Sequence, residues 1–210
     1  VKRPLAILAV CVLGSGGFAH AETQPPAAIA AAYFNDARIN QIGTYLHGNA
    51  AECVAKGSLS KEQAREIDRS IDRYFVDARK IVPEMQADFA AAIPQLLSEK
   101  EMADIRDFFN SSAGRVFMDA LTKPTRIVAA SQMRFCVAQT QLAFDPNKIV
   151  QDAIAALSPS DRDALRAFAS TPSAKKIPSL NEAVGETDAK FKNKFELAAT
   201  TAGLTRWIVK

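Results

Sequence analysis

Residues 108–117 read FFNSSAGRVF and residues 168–177 read FASTPSAKKI, sixty positions further on. Each passes from a phenylalanine through a small polar cluster to a basic residue and then an apolar one. Aligned without gaps, 97–117 and 157–177 match identically at Leu97/Leu157, Ser98/Ser158, Arg106/Arg166 and Phe108/Phe168. Conservative pairs follow at Glu101/Asp161, Ile105/Leu165, Ser111/Thr171, Gly114/Ala174, Arg115/Lys175 and Phe117/Ile177. The shared positions are mechanical ones. Ser98 and Ser158 stand where a side-chain oxygen accepts the free amide hydrogens of a helix start. Ser111 and Thr171 stand where a second hydroxyl caps the next helix, with Pro172 preset for its first turn. Phe108 and Phe168 bury one face, and Gly114 or Ala174 lets the second helix come close to a neighbour. The pattern predicts one helix–corner–helix unit used twice, over about 83–122 and 146–182.

Outward from these corners the signals are helical, and alternating β-branched runs bounded by tight turns are lacking. After a TQPP start, Ala27 to about Ala55 reads as one alanine-rich helix with Ile29, Tyr33, Phe34, Ile39, Ile42 and Leu46 as apolar positions. Lys56-Gly57 stops it. Ser60 and Gln63 form a capping box for a helix whose apolar stripe runs Ile67, Ile71, Tyr74, Phe75, Ala78, Ile81 and Val82. Pro83 is expected to kink or restart that helix, and Met85, Phe89 and Ile93 continue the stripe to Pro94. Ser98 with Glu101 boxes a short helix ending near Asn110. The next is expected to start near Ser111 and to run, bent at Pro124, to Phe144. Asp145-Pro146, Ser158-Pro159 and Thr171-Pro172 are further starts. A long helix over Leu180–Ala202 stops at Gly203. The expected fold is an all-α, irregular bundle of seven or eight helices.

Residues 1–21 carry a different pattern. Lys2 and Arg3 precede an apolar run from Leu5 to Leu13 and the small-x-small site Ala19-His20-Ala21, which reads as a secretory signal cleaved between Ala21 and Glu22. The apolar run is far short of the ~20 residues a membrane-spanning helix needs. Val1 fits a GTG start codon. A lipoprotein start at Cys11 is the rival reading, but Val10 in LAVC is not the small residue that such processing requires. The expectation is a periplasmic or secreted protein, residues 22–210 forming a single helical domain with no transmembrane segment.

The 210 residues hold 26 Lys and Arg against 23 Asp and Glu. Losing Lys2 and Arg3 would bring the net charge near +1, too little surplus for nonspecific nucleic-acid binding. Cys53 and Cys136 would remain, and in an oxidising compartment an even pair favours a disulfide over two buried thiols.

The chemical readings fare poorly. His47 is the one histidine past residue 21, so with two cysteines the soft ligands fall short of a structural zinc site. His47 and Cys53 lie about 220° apart on a helix, so they share no face for thiolate activation. No Gly-x-Ser-x-Gly elbow is present. Asp68 and Asp72 in REIDRSIDR share a face, but Arg65, Arg69 and Arg73 make it read as a solvated helix surface. KFKNKFE, residues 190–196, sets Phe191 and Phe195 among three lysines. It reads as a core-facing amphipathic stripe, or as a surface for anionic lipid or an acidic partner. Trp207 and Ile208 pose the same choice between packing and contact. No catalytic residue, metal or cofactor is expected.

The two corners resemble the bacterial exported family called domain of unknown function 2059, with its motif Phe-Tyr-x-Ser-Pro-x-Gly-Lys. Phe108-Phe109-Asn110-Ser111-Ser112-Ala113-Gly114-Arg115 keeps the serine and glycine but lacks the proline. Phe168-Ala169-Ser170-Thr171-Pro172-Ser173-Ala174-Lys175 keeps the proline but not the tyrosine or glycine. The resemblance covers residues 83–182 and implies an exported helical protein, without a reaction. The expected role is non-catalytic: binding an unknown protein or small apolar ligand, or supporting the envelope. The alternatives are a carrier with an apolar groove lined by residues such as Phe89, Phe108 and Phe135, and a hydrolase built on His47 with two carboxylates.

Overall fold

A computed structural model describes residues 24–120, 133–137 and 145–209, without the side chains of residues 36–39 and 146. The expected signal segment, the Pro124 bend and the Ile39 side chain lie outside the described residues. Eight α-helices follow in order: α1 (Pro25–Tyr33), α2 (Asp36–Ala55), α3 (Lys61–Leu96), α4 (Glu99–Asn110), α5 (112–120), α6 (Pro146–Ala155), α7 (Pro159–Ala169) and α8 (Ile177–Thr201). Among the described residues there is no strand. None of their helices is long and apolar enough to cross a membrane.

The spine is α3. Ser60 accepts from the Gln63 amide (3.1 Å) while the Gln63 side chain accepts from the Ser60 amide (2.8 Å), so the expected capping box starts it. Its 36 residues extend about 54 Å at 1.5 Å each. The stripe from Ile67 to Ile93 is buried, and α1, α2 and α8 pack around it. Pro83 does not restart this helix, and the helix passes Pro94 to end at Leu96. A proline in a helix interior costs about 3 kcal/mol. Ile81, Val82, Met85 and Phe89 on either side of Pro83 are buried, each contributing about 1.5–3 kcal/mol by leaving water. Packing outweighs the missing hydrogen bond.

The alanine-rich segment is two helices rather than one. It breaks at Phe34, whose backbone is extended (φ −125°, ψ 109°). Neighbouring residues of a continuous helix point about 100° apart, yet Tyr33 and Phe34 both pack edge-on against Phe89, at 5.3 and 5.7 Å. The break lets both rings reach it, and the Gln86 side chain donates to the Phe34 carbonyl (2.5 Å).

A second correction concerns the helix expected to reach Phe144. Residues 133–137 are not helical. Met133, Phe135 and Cys136 are buried, the Arg134 carbonyl accepts from the Val209 amide (2.7 Å), and Cys136 is disulfide-bonded to Cys53 with Cα atoms 6.0 Å apart. These tertiary ties turn the segment out of helical register. The last helix begins at Ile177, three residues before the expected Leu180, after a 3₁₀ turn over Ala174–Lys176. It stops as expected, with Gly203 in the left-handed region (φ 74°).

Candidate functional site

The two predicted corners face each other. In the first, the Ser111 hydroxyl donates to the Phe108 carbonyl (2.7 Å) and accepts from the Gly114 amide (3.0 Å). In the second, the Thr171 hydroxyl donates to the Phe168 carbonyl (2.7 Å) and accepts from the Ala174 amide (3.1 Å). Phe108 and Phe168 stack with ring centroids 4.0 Å apart and planes 1° from parallel. Beside the stack, the Ser173 hydroxyl donates to Asp104 (2.7 Å), which also pairs with Lys100 (3.0 Å). The Ser173 hydrogen bond, then that of Lys100, holds the Asp104 carboxyl below its usual range.

Helix starts are equally local. Ser98 and Glu101 complete a reciprocal box, and the Ser98 amide, then its hydroxyl, lowers the Glu101 carboxyl below its usual range. Ser158 accepts from the Asp161 amide (3.1 Å), ahead of Pro159 in the first turn of α7. Asp145 accepts from the Asn147 and Lys148 amides, each at 3.1 Å. Pro172 follows Thr171 into the 3₁₀ turn, whose Lys175 amide bonds the Pro172 carbonyl (3.1 Å). A Cβ on Gly114 would overlap the Phe108 carbonyl oxygen and lie 2.7 Å from its carbon. The close neighbour of Gly114 is therefore the last turn of the preceding helix.

A cleft of about 370 Å³ lies in the seam between α2 and α3. Asn40, Gly43, Thr44 and His47 line it from α2; Asp72, Phe75, Val76 and Arg79 line it from α3. His47 is not solitary. Its Nδ1 lies 2.7 Å from Asp68 and its Nε2 lies 3.2 Å from Asp72. Each ring nitrogen faces a carboxylate oxygen, so a doubly protonated ring can donate both ways. Thr44, the one hydroxyl lining the cleft, donates to the Asn40 carbonyl (3.0 Å). Arg79 donates to the Asn40 side chain (2.7 Å). Among the described residues, no three metal-ligating side chains converge.

The hydrolase alternative named His47 with two carboxylates, but the sequence reading assigned Asp68 and Asp72 to a solvated helix surface and did not identify them as that pair. The signal lies in the hairpin: His47 and Asp68 stand ten residues either side of the Gly57–Ser58 turn. Gly57 there adopts φ 71°.

In KFKNKFE, Phe191 is buried, while Lys190 and Lys194 pair with Asp88 and Glu84 on α3. Trp207 and Ile208 pack against the core, and Arg206 sits 4.8 Å over the Trp207 ring. Phe89, Phe108 and Phe135 are all buried, so none of them lines an open groove. No family model, curated protein or solved structure matches this chain.

Proposed function

We propose that the chain is an exported, non-catalytic helical binding protein, related to the domain of unknown function 2059. One observation carries the non-catalytic reading: Ser111, Thr171 and His47, the candidate groups at the corners and the cleft, are already engaged within the chain. The hydroxyls of Ser111 and Thr171 each donate to one backbone group and accept from another. Both nitrogens of His47 face carboxylates, leaving neither turned toward a nucleophile. A general base must reach the proton it removes, and the Thr44 hydroxyl that lines the cleft with His47 donates to backbone instead.

Export is supported by the Cys53–Cys136 disulfide, a bond that persists in oxidising compartments. The signal-like pattern at residues 1–21 points the same way. The test is mass spectrometry of the non-reduced protein recovered from the producing cell's exterior or envelope, with ester, amide and phosphate substrates assayed on the same sample. The expected sample begins at Glu22, retains the disulfide and turns over nothing. Turnover abolished by His47→Ala would establish the hydrolase instead.

The hydrolase is the second reading, because His47 does gather two carboxylates beside a cleft. Among the described residues, the ring contacts are these carboxylates and not a hydroxyl or thiol. An apolar-cargo carrier is less supported, since the phenylalanines that would line its groove are packed away.

A further inference from the structure

We propose that the seam between α2 and α3 binds short apolar peptides with free termini, their carboxylate at Arg79 and their amine at Asp72. This rests on the reading of the chain as a binding protein and names its ligand class.

The cleft has a cation at one end, an anion at the other and an apolar middle. At the first end, Arg79 forms no ion pair among the described residues. Its guanidinium is held by one hydrogen bond, from Nη2 to the Asn40 side chain at 2.7 Å. A guanidinium presents its hydrogens in a rigid planar fork, the geometry that takes a carboxylate through two parallel bonds. At the second end, the Asp72 side chain is 72% exposed, with one oxygen toward His47 at 3.2 Å. Its remaining lone pairs can accept from an ammonium.

Between the ends, the Phe75 ring packs closely under Gly43, where a Cβ would lie 3.2 Å from Cε2, so the bare glycine and the ring edge form an apolar floor. Val76 stands 52% exposed beside it, a large apolar side chain left in water on an otherwise charged face of α3. Burying it against a ligand removes apolar surface at about 25 cal/mol per Å².

Length selects the ligand. Asp72 and Arg79 are seven residues apart on one helix, which is about 10.5 Å at 1.5 Å each. Three extended residues span about 10 Å, so a tripeptide with an apolar centre joins the two ends. The volume of about 370 Å³ falls in the range of small-ligand clefts. An isolated carboxylate or amine would satisfy only one end.

The experiment is an amide chemical-shift titration of the full, oxidised chain with Ala-Leu-Ala, up to about 10 mM, a range that detects weak complexes. Shifts are expected at Gly43, Phe75 and Val76. N-acetylation and C-amidation of the peptide should each weaken binding about tenfold, the scale of one charge-assisted contact. Arg79→Gln should abolish the penalty for amidation but keep that for acetylation, and Asp72→Asn should do the reverse. Equal binding by free and capped peptides would overturn the proposal, as would no saturable shift at these residues. The peptide is then recovered and weighed. Intact peptide agrees with a binding site. Cleavage lost in Arg79→Gln would uphold the peptide site while removing the non-catalytic reading.

Discussion

Substituting Gly114 by alanine puts the corner account at risk with a single methyl group. A Cβ there overlaps the Phe108 carbonyl oxygen, lies 2.7 Å from the carbonyl carbon and sits 3.0 Å from the Phe109 Cα. All three are backbone atoms, so no flexible side chain can yield. The start of α5 must move away from the end of α4. The Gly114 amide then withdraws from the Ser111 hydroxyl, now 3.0 Å away, and Phe108 shifts against Phe168. Overpacking costs about 1–3 kcal/mol and loss of a cap about 1 kcal/mol. Together they predict about 3 kcal/mol, a fall in Tm of about 6–12 °C for a chain of this size. The assay is thermal unfolding by circular dichroism on oxidised protein, with Ala174→Gly as control, because that change creates no clash. A Gly114→Ala midpoint within about 1 °C of the parent would refute the argument.

Other consequences can be checked with similar equipment. Replacing Cys53 by serine removes a bond closing a separation of 83 residues. It should cost about 4.5 kcal/mol in the chain-entropy account, read as a lowered denaturation midpoint that reductant no longer changes. The depressed carboxyls of Glu101 and Asp104 stabilise the fold above their ordinary pKa, and that contribution is lost as pH falls through the folded values. Ser173→Ala should therefore flatten the acid limb of stability against pH, and a limb unchanged from the parent would remove the Ser173–Asp104 bond from the account. The contacts of His47 with Asp68 and Asp72 are partly exposed, so His47→Gln should cost no more than about 1 kcal/mol by urea unfolding. A much larger loss would mean that His47 ties α2 to α3 more strongly than its exposure allows.

What could be read from the sequence was what is decided locally. Ser60, Ser98, Asp145 and Ser158 cap helices using amides two or three residues away, so their roles lie within one turn. The pairing of Cys53 with Cys136 was legible because only two cysteines follow residue 21. The break at Phe34 was not, because its cause is Phe89, more than fifty positions away. The restart allowed for at Pro83 does not occur for a related reason: the helix rule weighs one lost hydrogen bond, while buried neighbours on both sides hold the helix through it. The His47 cluster needs the register of the α2–α3 hairpin. The periodicity of either helix does not supply it.

The fold requires the two corners to brace one another. The most direct measurement is a double-mutant cycle on Phe108 and Phe168, by urea unfolding of Phe108→Ala, Phe168→Ala and the double variant. Rings stacked at 4.0 Å predict that the losses fail to add by about 0.5–1.5 kcal/mol. Fully additive losses would contradict the claim, leaving two separate turns where the account requires one joined structure.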